Sequence, residues 1–508
     1  MSSKIFSAAL VGLDAEIVEV EADTGGGEMG SFSIVGLPDT SVSESRERVR
    51  YAIKNSGLNF PKLKVGVNLA PADLRKQGPS YDLPIAISVL LASCAIKCSD
   101  VNFNKILFVG ELALSGLLRG VNGILPIALE AAQKGFEIII VPAINASEAK
   151  LVESLEVIPV NSLRQVIDYL EVTEKIVPAE RTIFDFSNAE ILQDMSHVKG
   201  QEQVKRALEI SAAGAHNIAM SGPPGSGKTI LAHTIPSILP DLMLEEALEV
   251  TKIYSVAGKL GRDQALITAR PYRAPHHTAS SSALIGGGSW PKPGEISLAH
   301  RGVLFLDEFA EFPRKILENL RQPLEDGIIH VNRVAGNLIF PAKFILVAAM
   351  NPCPCGFMSD PGRECTCTPI QAINYSKKIS GPIIDRIDLH VEVPRVNYEQ
   401  LTSSTESGET SSVIKERVTR TRNIQHERFK QTPFFTNSEM SSEAVRKFCV
   451  LDSAGEQMIR RAVTQMHLSA RSYFRVLKLA RTIADLDQEK NILINHIAEA
   501  LQYRPKID

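Results

Sequence analysis

Apolar and polar positions change their period several times along the chain, and those changes mark out its elements. Phe32-Ser33-Ile34-Val35-Gly36-Leu37-Pro38-Asp39 reads as a strand running into a turn. Ser41 to Ser56 has helical spacing, with Val42, Val49 and Ile53 on the face expected to be buried. Lys64 to Leu69 reads as a strand, and Gly78-Pro79-Ser80-Tyr81-Asp82-Leu83-Pro84 opens a very apolar helix. Ile106 to Glu111 and Glu137 to Pro142 are buried strands, with a helix starting near Pro126 between them. Alternation of this kind predicts a compact α/β domain.

A mixed polar stretch, 171–193, reads as a linker. After it come a helix from Glu202 to Ala213, a strand at Asn217-Ile218-Ala219-Met220 and a helix beginning at Ile230-Leu231-Ala232. Val303 to Leu306 and Phe344 to Met350 are apolar strands, and a hairpin is expected between them with its turn at Ala335-Gly336-Asn337. Thr402 to Ser412, rich in Ser, Thr, Glu and Gly, reads as a flexible connection. From Val413 onward the spacing is helical throughout. The pattern predicts three parts: 1–180 (α/β), 181–397 (α/β) and 398–508 (a helical lid).

Composition adds little to this. At 508 residues, with 44% hydrophobic and 22% charged, the chain has the make-up of a globular protein of two or three domains. The longest nearly uncharged run, Leu83 to Ile96, is too short to span a bilayer. Ile5 to Leu13 is followed by Asp14, Glu16 and Glu19 without a clear cleavage site, so a cytoplasmic protein with no membrane partner is expected. The net charge of −3 conceals an acidic first part and a basic last part; a basic end can face nucleic acid or simply be a solvated helical surface.

Chemistry enters at Gly222-Pro223-Pro224-Gly225-Ser226-Gly227-Lys228-Thr229, between a strand and a helix start. This is the P-loop pattern, in which backbone N–H groups cradle the phosphates of ATP, lysine adds a cation and the threonine hydroxyl ligates Mg²⁺. About eighty residues on, Asp307-Glu308 closes an apolar strand, as a Walker B pair does. Asp307 would hold Mg²⁺, and Glu308 would polarise the attacking water. The pairs Cys353-Pro354-Cys355 and Cys365-Thr366-Cys367 can close a tetrahedral Zn²⁺ site or remain free thiols in a Gly/Pro loop. His276-His277 lacks a third ligand at suitable spacing, which favours a pore loop over a metal site.

Arg75-Lys76-Gln77-Gly78-Pro79-Ser80 and Gly110-Glu111-Leu112-Ala113-Leu114-Ser115-Gly116 resemble the proteolytic domain of Lon peptidases, with Ser80 at the nucleophile position. That family pairs the serine with a lysine, but Leu125 stands where the lysine should be, so a non-catalytic Lon-like domain is expected. The Gly200-Gln201 pair, the P-loop and the Walker B strand resemble AAA+ ATPases. In that resemblance Asn351 is sensor 1, and Arg386, within Ser380 to Asp388, is the arginine finger that reaches a neighbouring subunit's nucleotide. Arg471, within Ser469 to Arg481, matches sensor 2, with Arg475 one turn away as the competing assignment.

Two insertions sit where the magnesium-chelatase branch carries its helix-2 insert and pre-sensor-1 hairpin, and Arg270, Arg273, Lys292 and Arg333 fall on them as candidate DNA contacts. Over nearly its full length the chain resembles the YifB/ComM family of magnesium-chelatase-like AAA+ proteins. The resemblance implies a homohexameric DNA helicase that uses ATP and Mg²⁺, promotes branch migration, and acts with recombination proteins during natural transformation. A chelatase motor for metal insertion and an ATP-dependent protease share parts of the same pattern.

Overall fold

The computed structural model describes residues 2–25, 30–98, 101–181, 186, 193–261, 264–288, 291–333, 336–358, 360, 362–396 and 408–505. The chain divides into two compact units, residues 1–185 with 244–267, and residues 186–243 with 268–508.

The first unit is built on a seven-stranded mixed sheet. Its strands run, in spatial order, Phe32–Val35, Lys64–Ala70, Asp14–Gly25, Ser2–Val11, Ile106–Phe108, Ile138–Pro142 and Glu156–Val160. The apolar run at Ile5 is the buried middle of a long antiparallel hairpin, Ser2–Val11 with Asp14–Gly25. Helices Thr40–Asn55 and Asp82–Ala92 share one core with Ile5, Val18 and Val20, and helix Ile124–Gln133 shares another with Leu107, Ile139 and Val157. Val42, Val49 and Ile53 are buried, as their spacing predicts.

One segment departs from the expected boundaries. Helix Leu244–Ala257 lies in sequence just after the P-loop helix, yet it groups with the first unit. Lys252 pairs with Asp14 at 2.6 Å, Ser255 bonds Glu148, and Leu248 packs on the core around Ile124.

The second unit holds a five-stranded parallel sheet in the order Tyr272–Arg273, Val303–Leu306, Ile345–Met350, Ile218–Ser221, Leu389–Glu392. Its central strands are almost wholly buried, which suits continuous apolar runs rather than alternation. Helices Ser411–Phe429, Ser442–Phe448, Ser453–Gln465, Ala470–Leu486 and Ile494–Gln502 form the helical part. Val418, Val476 and Ala480 belong to the same apolar core as Ile210 and Ala213, so the lid is continuous with the sheet unit. The hairpin pairs Ile328–Arg333 with Gly336–Pro341. Gly336 and Asn337, expected in the turn, are therefore strand residues, and Ala335 lies outside the described residues. Most of 402–412 is also outside them. No helix among the described residues is long and apolar enough to cross a membrane.

Candidate functional site

Parallel register brings the chemistry together. Ser221 pairs with Met350, so Gly222 and Asn351 leave adjacent strands at one level, at the carboxyl end of the sheet. Helix Lys228–Ile238 starts after Gly227, whose φ of 89° lies in the left-handed region that side chains disfavour, and no side chain caps it. Its first N–H groups are thereby left for a ligand, at the positive end of the helix dipole.

Lys228, 8% exposed, donates to the Gly222 and Pro223 carbonyls at 2.7 and 2.9 Å and to Asn351 Oδ1 at 3.3 Å. Burial pulls its ammonium below the usual lysine value, with Asp307 opposing. Thr229 Oγ1 donates to Asp307 Oδ2 at 2.9 Å, and Asp307 Oδ1 accepts the Glu308 N–H at 2.8 Å. Ser226 Oγ is buried without a hydrogen-bond partner among the described residues. An uncapped helix start, a buried cation and an orphaned hydroxyl fit a polyphosphate, and the Thr229 and Asp307 oxygens fit a hard cation such as Mg²⁺. Gln201 Nε2 donates to the Ser226 carbonyl at 2.7 Å and the Pro394 carbonyl at 2.9 Å, tying the segment before the helix to the P-loop.

Glu308 adopts a left-handed backbone, φ 50°, and its Oε2 lies 3.0 Å from His277 Nδ1. His276 faces elsewhere, with Nδ1 2.8 Å from Thr278 Oγ1. Of the histidine pair expected in a pore loop, His277 sits on the glutamate of the Asp307-Glu308 pair.

The arginines separate. Arg386 and Arg471 both bond Glu325, whose carboxyl is raised by burial but held below its usual range by the two guanidiniums. Arg475 instead pairs with buried Asp388 at 2.6 Å, and Asp388 also meets His216 Nδ1 at 3.3 Å. Of the competing pair, Arg475 is held by Asp388, just before strand Leu389–Glu392, and Arg471 stands 42% exposed.

Two candidate DNA contacts are already engaged by groups within the fold. Arg270 donates to the carbonyls of Pro240 at 2.6 Å and Arg301 at 2.7 Å, and Arg273 forms a bidentate pair with Glu295 at 2.5 and 2.8 Å. Lys292 is exposed on a short strand, and Arg333 ends its hairpin strand with its side chain outside the described residues.

Cys353, Cys355, Cys365 and Cys367 offer sulfurs that all lie within 4.8 Å of one another; among the described residues this is the one group of three or more His, Cys, Asp or Glu side chains placed to hold a metal. Three Sγ separations are 3.4, 3.7 and 3.5 Å. Zn–S bonds of about 2.3 Å in a tetrahedron imply about 3.8 Å between sulfurs, so the donors fit Zn²⁺. A hydrogen bond from the Phe357 backbone helps bring Cys355 down to about 5. The Cys355 N–H favours the Cys367 thiolate too, but lost solvent and neighbouring sulfurs push that thiol up to about 12. Four thiols this close cannot all ionise without a cation between them.

In the first unit Ser80 lies in a short turn, Pro79–Tyr81, whose Ser80 carbonyl accepts the Gly110 N–H at 3.0 Å. Leu125 is fully buried, its N–H donating to Glu148 Oε1 at 2.9 Å, and buried Lys76 bonds the Pro71 carbonyl.

Glu325 and the His277 contact were not legible in the sequence. Glu325 meets arginines 61 and 146 residues away, a distance no local pattern encodes.

Comparison with known proteins agrees with this geometry. The family pattern described as "Magnesium chelatase, subunit ChlI" matches residues 194–401, "Subunit ChlI of Mg-chelatase" matches 18–145, and "Magnesium chelatase, subunit ChlI C-terminal" matches 408–504. Competence protein ComM of Haemophilus influenzae is 42% identical over 508 residues, covering 99% of this chain and 97% of its own. Protein YifB of Escherichia coli is 43% identical over 502 residues, covering 99% and 97%. Lon protease 2 of Bacillus subtilis is 23% identical over 168 residues, 30% of either chain. A P-loop, an Asp-Glu strand end and Asn351 on one parallel sheet, with likeness running end to end, make this chain a member of the magnesium-chelatase-like AAA+ family that contains ComM and YifB, a family whose cofactors are ATP and Mg²⁺.

Proposed function

We propose that the chain is one subunit of a homohexameric, ATP-driven DNA helicase that promotes branch migration in homologous recombination and natural transformation. Its place would be the cytoplasm, with recombination proteins as partners. The observation that carries the ring is the meeting of Arg386 and Arg471 on Glu325. Lys228 is held by the Gly222 and Pro223 carbonyls and by Asn351, and the two arginines by the Glu325 carboxylate away from them, which supports their serving a neighbour's nucleotide.

In this reading Lys228 and the loop Gly222 to Gly227 bind the phosphates, Thr229 and Asp307 hold Mg²⁺, and Asn351 orients the γ-phosphate. Glu308 orients and deprotonates water once His277 lets it go. Lys292 and Arg333 grip DNA phosphates, without reading sequence. The name of the ComM relative supports the competence role. The cysteine cluster holds one structural Zn²⁺, in keeping with its sulfur spacing.

The test is strand displacement on forked and four-way DNA with ATP. ATP-dependent unwinding and DNA-stimulated hydrolysis are expected. Hydrolysis indifferent to every DNA tested, with no unwinding, would refute the helicase and favour the metal-insertion motor to which the ChlI patterns point.

A further inference from the structure

The cysteine knuckle and the P-loop touch. Asn351 accepts from Lys228 Nζ at 3.3 Å, and Cys353 follows after a single proline. The Gly356 N–H then closes a turn on the Cys353 carbonyl at 3.0 Å. Gly356 has a φ of +84° and is pressed against the phosphate loop: a Cβ there would lie 2.6 and 2.8 Å from Pro224 Cδ and Cγ. Real carbon contacts are optimal near 3.5–4.0 Å, so only glycine fits.

The second thiol pair is fixed from the other side. Cys367 Sγ accepts the Cys355 N–H at 3.3 Å. The next residue, Thr368, caps helix Pro369–Ser376: its Oγ1 accepts the Gln371 N–H at 3.3 Å, and Gln371 Oε1 accepts the Thr368 N–H at 2.9 Å. Between these anchors the chain has little apolar hold. Pro354, Met358, Gly362, Arg363, Glu364 and Thr366 are exposed, and the half-buried Phe357 is covered by the Arg363 and Arg395 guanidiniums at 4.2 and 5.7 Å. Apart from the Asp360–Arg395 ion pair at 2.9 Å, the sulfur cluster is what fixes the turn that carries Gly356. In the phosphate loop, glycines at 222 and 225 flank Pro223-Pro224, so the placing of that proline pair depends on what packs against it.

We propose that the knuckle is a metal-dependent brace for the nucleotide site. Closed on one zinc ion, it holds Gly356 against Pro224 and Asn351 against Lys228, and so raises the affinity of the P-loop for ATP. The proposal rests on the zinc reading above. Because the coupling is between two binding equilibria it is reciprocal: ATP must tighten zinc by the factor by which zinc tightens ATP.

The test uses the full-length protein and a fluorescent, non-hydrolysable ATP analogue with Mg²⁺, before and after zinc is withdrawn by a chelator that leaves Mg²⁺ in place. Zinc withdrawal should weaken analogue binding by at least about fivefold, the lower end of ordinary coupling between sites, and added zinc should restore it. Saturating analogue should tighten zinc, measured by chelator competition, by the same factor. Gly356→Ala keeps all four thiols; it should retain one zinc per chain and yet bind the analogue more weakly. Cys365→Ser should lose zinc and affinity together, with circular dichroism to check its fold and the chelated wild type to stand in should it misfold. A wild type that carries zinc but binds the analogue equally well without it overturns the brace and leaves the zinc reading standing. A Gly356→Ala protein with unchanged affinity also overturns it, and a wild type without zinc overturns both.

Discussion

Arg471 and Arg475 lie one turn apart on helix Ala470–Leu486, and their surroundings predict opposite phenotypes. Arg475 is 15% exposed and Asp388 8%, and the carboxylate is further held by His216 and the Asn217 N–H, each at 3.3 Å. Removing one partner of a buried pair costs about 3–5 kcal/mol. His216 and Asn217 remain after Arg475→Met, which reduces the loss to about 2–3 kcal/mol, at the edge of that range. At about 2.1 cal/mol/K of unfolding entropy per residue, a unit of about 300 residues shifts by roughly 1.6 °C per kcal/mol, so the melting transition of the second unit should fall by about 3–5 °C. Arg471 and Glu325 are each 42% exposed, so Arg471→Met should cost about 0–1 kcal/mol and at most about 2 °C. Activity should reverse the order, with ATP hydrolysis well below the transition lost in Arg471→Met and kept in Arg475→Met.

Acid provides a second check. Burial raises the Asp388 carboxyl, but Arg475 and then His216 outweigh it and leave the group well below its ordinary value. A depressed carboxyl contributes stability that is complete above its unfolded pKa, about 3.9, and is lost as pH falls through the folded value. The gap between wild type and Arg475→Met, followed by urea unfolding, should be constant from pH 8 to 5 and narrow below about pH 4. An Arg475→Met protein that melts with the wild type, or an Arg471→Met protein that melts lower still, would refute the assignment.

Lys228→Ala should lose nucleotide binding in a fluorescent-analogue titration, while Glu308→Gln should bind ATP and not turn it over; wild-type hydrolysis in Glu308→Gln would remove it as the general base. Arg386→Ala should bind nucleotide but fall roughly 10³–10⁵-fold in hydrolysis, and mixing it with Lys228→Ala should restore part of the rate through complementary half-sites. A normally active Arg386→Ala would remove the shared site. Lys292→Ala and Arg333→Ala should each lower the slope of log K against log salt by roughly 0.7–0.9, equally for unrelated DNA sequences. Unchanged slopes in both would place the DNA grip elsewhere.

The nucleotide site was legible because its parts are local. A glycine loop between strand and helix, an apolar run ending in Asp307-Glu308, and another ending in Asn351 each carry their own signal. The buried face of Thr40–Asn55 followed from its period in the same way. Partners distant in sequence were not legible. Sequence spacing alone left Arg471 and Arg475 equivalent, and only Asp388, Glu325 and their burial distinguish them. Arg270 and Arg273 lie in an insertion expected to face DNA, yet backbone carbonyls and the half-buried Glu295 carboxylate hold them. The helix at 244–257 gave no hint that its neighbours lie in the first unit, because its partners Asp14 and Glu148 are over a hundred residues upstream.

That helix makes the first unit a fold written in two instalments. On the ribosome, residues 1–185 emerge first, but the sequence that supplies Lys252 to Asp14 and Ser255 to Glu148 appears only after the P-loop has been made. The first unit cannot reach its final contacts until the second is already under construction, so the two mature as interleaved halves rather than one after the other. The same wiring governs surgery on the gene. A cut at residue 180 leaves behind a helix whose Leu248, Lys252 and Ser255 have lost their partners, and a truncation meant to isolate the ATPase would instead expose an orphaned piece of the domain it set out to remove.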